Sequence, residues 1–416
     1  MRHFVLIFLI LCSQLSFGQM DSLRTYYQLS VEAYKAGEYS AFLKYTVRAN
    51  EIRPNHPALA YNLASAYAMN AQKKEAVNAL SAFLRMNASL DYQQDTDFDS
   101  LKRYEPYEKL SEQVAESTKK MINYDLAFSL SQKKDHYESI TYDENSGAFF
   151  LGTINTRRIL RYENGMAKEF LADEPQLYSV MGLDIDRRSN MLWVGSAALP
   201  EMQGYADTLQ NMSSVFGIDL TTGMVKFSYL IPEATLGDLI SLDKGTALAT
   251  DGARNKIYEL RPDGFSIFAD LSGALLNLQG LSKSGDQLLI SDYLTGLYSL
   301  DLKSKSLKKF SANNLYSEKG TDGLLSYQDH IISFQNGTQP KRVACIRFDE
   351  HKAEQVKIIE QNSSPKGEPT QGLIVGDTLY YLATSAWDAY EDGKYQSDLA
   401  TDLEIRKLDL VQFLIE

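Results

Sequence analysis

Gln279-Gly-Leu-Ser-Lys-Ser-Gly-Asp-Gln-Leu-Leu-Ile-Ser-Asp-Tyr-Leu-Thr-Gly-Leu-Tyr-Ser-Leu300 reads as three short strands divided by polar turns. The triplet Gln279-Gly-Leu opens the first strand. Leu288-Leu-Ile-Ser-Asp292 forms the second and Gly296-Leu-Tyr-Ser-Leu300 the third. The opening returns as Glu138-Ser-Ile, Met181-Gly-Leu, Gly237-Asp-Leu, Asp322-Gly-Leu and Gln371-Gly-Leu. Successive spacings along the chain are 43, 56, 42, 43 and 49 residues. A period of this size, with short strands in each unit, marks a β-propeller blade. The fold class expected is mainly β with an α N-terminal part: a six-bladed propeller over residues 121–416, with the first strand of each blade lining a central channel.

The other units follow the same grammar. Second strands end at Thr153, Ser196, Asp251, Phe334 and Ala383, and the dipeptides Asn164-Gly165, Thr222-Gly223 and Asp263-Gly264 supply turns. An open ring would leave bare edges, so residues 124–130 are expected to pair into the last blade.

Residues 21–120 carry helical periodicity instead. Gly37-Glu-Tyr39, Phe42, Ala49 and Pro54 are followed 34 residues later by Ala71, Ala76, Phe83 and Ala88. The period resembles the tetratricopeptide repeat, two antiparallel helices per unit. The second unit lacks the Gly, and residues 91–120 read as a cap. Such an arm is expected either to dock a protein partner or to cover one face of the propeller.

The 416 residues are 44% hydrophobic and carry a net charge of −12, too long for one ordinary core. An acidic chain without basic clusters argues against nucleic acid and anionic membranes. Residues 1–18 read as a signal peptide: Arg2 and His3, an apolar run from Phe4 to Leu11, then Ser16 and Gly18 before a cleavage point. The chain is therefore expected to be exported, to the periplasm or beyond. No second apolar stretch is long enough to span a bilayer. Cys345 would then be the one remaining cysteine, in the apolar run Val343-Ala-Cys-Ile346.

Over residues 125–410 the chain resembles the senescence-marker-protein/gluconolactonase-like six-bladed propellers. Glu138 with Asp143, Gly182-Leu-Asp184, Gln279-Gly-Leu with Ser291-Asp292, and Thr321-Asp-Gly-Leu324 carry the resemblance. Gln335-Asn-Gly337-x-x-Pro340 and Ala386-Trp387 add to it. The resemblance implies a divalent cation, often calcium, on the channel axis and hydrolysis of lactones or related esters. The family's first-blade Glu falls on Glu138 and its fifth-blade Asp on Asp322. Its two middle Asn positions fall on Gly237, beside Asp238, and on Gln279, which thins the ligand shell.

Antiparallel neighbours put the start of strand one beside the end of strand two. Glu138, Asp238, Gln279 and Asp322 are therefore expected at one mouth with Asp251, Asp292, Asn336 and Trp387. Metal ligands would be Glu138, Asp238 and Asp322. Ligand contacts would come from Gln279, Asp292, Asn336 and Trp387, and Asp322 would be the catalytic base. Two readings follow. The favoured one is an exported, non-catalytic propeller that binds a small ligand in its channel and a protein partner through its helices. The other is a divalent-metal-dependent lactonase or esterase.

Overall fold

The computed structural model describes residues 17–172, 174–242, 245–364 and 366–414. The expected signal peptide lies outside these residues except for its last two. Four helices begin the chain: α1 (Phe17–Ala36), α2 (Tyr39–Ile52), α3 (Pro57–Met69) and α4 (Lys73–Met86). Two 3₁₀ turns follow, then the short α5 (Glu105–Glu108) and α6 (Leu110–Thr118).

Gly37 stops α1 in the left-handed conformation, φ 73°. Its N–H reaches Tyr34 O at 3.1 Å and that of Glu38 reaches Ala33 O at 2.9 Å, a Schellman motif. Thirty-four residues on, Ala71 takes the same conformation, φ 60°, with the same pair of bonds. The Gly missing from the second repeat is thus replaced by a strained Ala, and the repeat geometry persists. Pro57 occupies the first turn of α3, where its missing N–H costs nothing. Ala64, Ala76, Leu80 and Phe83 form one core with Phe98, Leu101, Tyr107 and Leu110. Residues 91–118 therefore cap the repeats by filling their open apolar face.

Six four-stranded antiparallel blades follow. Their inner strands are Tyr137–Asp143, Ser179–Asp186, Leu236–Leu242, Leu278–Ser284, Thr321–Tyr327 and Gly372–Val375. The strand Asp125–Leu130 pairs with Leu403–Asp409 and closes the ring in blade six, as the bare-edge argument requires. Met121–Ile122 adds a fifth strand outside blade five. Apolar clusters fill the wedges between blades. Trp193, fully buried, packs with Leu236, Leu239 and Ala249 of the next blade.

The repeated triplet has a structural cause. In blades one to five the pairing of inner strand and second strand slips at its first residues, a β-bulge each time. In blade one, Tyr137 faces Thr153 and Ser139 faces Gly152, leaving Glu138 extra. Bulges re-aim side chains. The small residue next to it is demanded by the neighbouring blade: a Cβ on Gly323 would meet Thr370 O at 2.3 Å.

Two long connections rise from second-strand ends. One follows Ala197 and accounts for the 56-residue spacing. The other, between Leu382 and Leu403, holds the 3₁₀ turn Trp387–Ala389 and a small hairpin, Tyr390–Glu391 with Lys394–Tyr395. The helical arm packs on this same mouth face over blades four and five. Ala88 N donates to Gln339 O at 2.8 Å, Gln339 N to Met86 O at 2.8 Å, and Arg342 Nη2 to Arg85 O at 2.7 Å. No helix among the described residues is long and apolar enough to cross a membrane.

Candidate functional site

The mouth is where inner strands begin and second strands end: Leu236 faces Asp251, Leu278 faces Asp292 and Thr321 faces Gln335. The blade-one bulge delivers Glu138 and the blade-five bulge delivers Asp322. Burial raises Glu138 well above the usual carboxylate range, and the charge of Asp322 adds to the rise. Asp322 is pushed up to about 7, by burial first and then by Glu368. Among the described residues no lysine or arginine pairs with Glu138, Asp238 or Asp322. Lys341 reaches this acidic group only at Glu368, 3.2 Å away.

Glu138 is held by a buried chain of hydrogen bonds. Ser385 Oγ lies 2.6 Å from Glu138 Oε2 and 2.9 Å from His136 Nε2. His136 Nδ1 lies 3.0 Å from the Tyr390 hydroxyl. Ser385 Oγ also lies 2.9 Å from Tyr137 O, so its one proton is shared between that carbonyl and Glu138, and the His136 ring nitrogens bridge Ser385 to the Tyr390 hydroxyl. Burial drops the imidazole to about 3, so it is neutral and serves as a spacer. The Trp387 ring stands edge-on to His136, centroids 4.7 Å apart. Ser385 and His136 are both fully buried. The far ring nitrogen of His136 meets the Tyr390 hydroxyl and not a carboxylate, so the Ser385–His136 pair lacks the acid of a catalytic triad.

Asp322 is held differently. Asn336 Nδ2 donates to Asp322 Oδ2 at 2.7 Å, which fixes the orientation of the amide. Asn336 Oδ1 is then buried with no hydrogen-bond donor. An oxygen without a donor beside a carboxylate fits a cation or a donating ligand group. Thr370 Oγ1, on the neighbouring blade-six connection, is likewise buried without a partner. Gln371 spans the mouth, its Nε2 donating to Met181 O at 3.2 Å.

The other expected site residues divide. Asp238 is pushed up to about 7 by burial, yet its carboxylate accepts from Leu239 N at 2.9 Å and Leu281 N at 2.8 Å. It ties blade three to blade four while contributing charge near Asp322. Gln279 turns its amide nitrogen onto Asn277 Oδ1 at 2.7 Å. Asp292 stands apart as a loop staple, contrary to the ligand role expected from its position. Its two oxygens accept from Leu276 N, Asn277 N, Leu294 N, Thr295 N and Thr295 Oγ1, and it is fully buried. Asp251 does the same in blade three, accepting from Thr235, Ala253 and Arg254 N–H groups. Among the described residues no three His, Cys, Asp or Glu side chains group as ligands for one metal ion. A cation at the mouth would need neutral oxygens beside Glu138 and Asp322, and Asn336 Oδ1 meets that requirement.

Glu368, Ser385, Tyr390 and Tyr293 were not foreseen. Glu368 lies in a non-periodic connection, and Ser385 and Tyr390 in the blade-six insertion. Tyr293 directly follows Asp292 at a strand end, the one positional signal that could have found it. A separate concavity of about 560 Å³ opens on the opposite face, between blades four and five, lined by Ser299, Phe310, His330 and His351 among others. It holds none of the mouth residues.

No family model and no curated protein matches the chain. Several solved structures are similar to part of the chain. A luciferin-regenerating enzyme is 12% identical, covering 68% of this chain and 95% of its own, with a TM-score of 0.47. A putative oxidoreductase (glucose dehydrogenase) from Thermus thermophilus is 12% identical, covering 69% and 100%, with a TM-score of 0.46. A catalytically inactive virginiamycin B lyase from Staphylococcus aureus with quinupristin is 12% identical, covering 68% and 99%, with a TM-score of 0.43.

Proposed function

We propose that the chain is a ligand-binding propeller whose acidic mouth takes a divalent cation or a cationic ligand group. One observation carries this reading: Glu138 and Asp322 sit at the mouth with no lysine or arginine partner among the described residues, and Asn336, bonded to Asp322, has an unpaired Oδ1. A buried Glu138 and a half-buried Asp322 at one mouth are unfavourable as anions unless protonated or neutralised, and a bound cation would neutralise both. Glu138, Asp322 and Asn336 would hold a calcium ion, with the rest of its oxygen shell from backbone, ligand or water. Export through residues 1–18, to the periplasm or outside the cell, belongs to the same proposal, as does a protein partner for the helical arm.

A second reading, hydrolysis of a lactone or ester, is favoured by one observation. Asp322 accepts a side-chain hydrogen bond from Asn336 on Oδ2, which leaves its other oxygen able to take a proton from water. The bound cation would supply Lewis acidity. Asp322 would accept the proton of an attacking water, Asn336 would keep its carboxylate oriented, and the Ser385–His136–Tyr390 chain would hold Glu138 in place. Ser385 is fully buried, so in this reading the nucleophile is the water and not the serine.

Melting curves with and without calcium test the first reading. Binding to the folded state at one hundred times Kd stabilises by about 2.7 kcal/mol, and Asp322→Ala should remove the shift. Turnover of a lactone panel, present in the wild type and lost in Asp322→Asn with calcium binding kept, would favour the second. No calcium shift in the wild type would defeat the cation site.

A further inference from the structure

Between α2 and α3 the chain turns through Arg53-Pro-Asn-His56, and this turn is pressed onto the mouth face. Asn55 Nδ2 donates to Leu294 O at 3.1 Å. Tyr293, the preceding residue of that propeller loop, lies under Lys319, whose Nζ is 5.0 Å from the ring centroid. Lys319 Nζ also donates to Gly337 O at 3.0 Å, and Gly320 N reaches Tyr293 O at 2.8 Å. Arg53 and His56 from the arm and Lys319 from the propeller therefore meet at one seam.

This seam lacks counter-charge. Among the described residues no Asp or Glu forms an ion pair with Arg53 or Lys319. The adjacent acid, Glu318, is turned away to Lys309 Nζ at 2.7 Å. Arg53 Nε and His56 Nδ1 are buried with no hydrogen-bond partner. His56 also stands at the amino end of α3, thirteen residues long, and makes no side-chain cap to it. The first N–H groups of a helix have no partner within it and favour negative charge.

We infer that the seam between the helical arm and the propeller is an anion site, binding a phosphate or carboxylate group through Arg53, His56, Lys319 and the amino end of α3. Unpaired buried donors and cations are costly, and an anion offsets both at once. The electrostatic cost of the seam shows in two side chains. Burial lowers Lys319 to about 8 and His56 to about 4, with the Arg53 charge acting on each. The site is separate from the cation-binding mouth and does not depend on it: Tyr293 stands between them, its phenol raised by burial and by Asp322 and Glu368.

The test is calorimetric titration of the full chain with inorganic phosphate and, separately, with acetate, at constant ionic strength. The wild type should bind at least one of them. Arg53→Gln and Lys319→Gln should each weaken the apparent Kd about tenfold or more. Arg48→Gln, at an exposed residue paired with Glu51, should leave it unchanged. Binding of phosphate alone assigns a phosphoryl ligand, and binding of acetate assigns a carboxylate. Anion-free melting temperatures provide a second readout. For Arg53→Gln, which removes a like charge and no hydrogen bond, they should equal the wild type or be higher. Failure of both anions to bind, or wild-type affinity in both seam variants, overturns the site. So does a lower anion-free melting temperature in Arg53→Gln, because it would mean that this guanidinium already has a protein partner.

Discussion

Asp292 and Asp322 occur in comparable contexts, at strand ends of adjacent blades, and the fold gives them opposite fates. Asp292 receives five donors from its own loop, so its charge is satisfied. Asp322 receives one, from Asn336, and faces other carboxylates. Asp292→Ala should therefore cost about 3 kcal/mol or more in chemical denaturation while leaving cation binding intact at temperatures where the chain is folded. Asp322→Asn should cost little in the same measurement. His56 gives a pH signature of known sign. Its pKa is about 4 in the folded chain against 6.5 as the reference value, through burial, then Arg53, then Lys319. Between those values the unfolded chain binds a proton that the folded chain does not, so stability falls as pH drops from about 6.5 to about 4. His56→Gln should flatten that part of the stability profile relative to wild type, read from melting temperatures across the range. The placement of Glu138 and Asp322 was legible because their triplets recur. The role of Asp292 was not, because the donors that saturate it come from a loop whose path no periodicity records.

The bulge and its small neighbour explain at the level of elements why a short triplet recurs at all. The bulge turns one residue toward the channel, and at Gly182, Gly280 and Gly323 the adjoining blade leaves no room for a Cβ beside it. Gly323→Val should prevent correct packing of blade five against blade six, seen as loss of soluble folded protein or a sharply lower melting temperature. The 34-residue helical period was also legible, but the missing Gly obscured how well it holds. Ala71 bears the left-handed cost in place of Gly, about 1 kcal/mol. Ala71→Gly should accordingly leave stability unchanged or raise it by up to about 1 kcal/mol, whereas Gly37→Ala should lower it. The insertions after Ala197 and Leu382 were visible only as extra length. Their sequences carry no repeat, so the contribution of Ser385 and Tyr390 to the site could not be read in advance.

On the scale of the whole molecule, one face collects everything unusual: the arm, both insertions, an acidic mouth and a basic seam beside it. The opposite ends of the blades are joined by short turns. Ring closure by Asp125–Leu130 places the last helix next to the closing strand, so the arm is covalently tethered where it docks. Deleting residues 125–130 should leave Leu403–Asp409 an open edge and replace cooperative unfolding with aggregation. The central claim remains that the mouth binds a cation through Glu138, Asp322 and Asn336. Calorimetric titration of calcium into the metal-free wild type and into Asp322→Ala tests it most directly. The account predicts one equivalent bound per wild-type chain and binding lost or weakened at least about tenfold in the variant. No binding to the wild type, or equal binding to the variant, would contradict it.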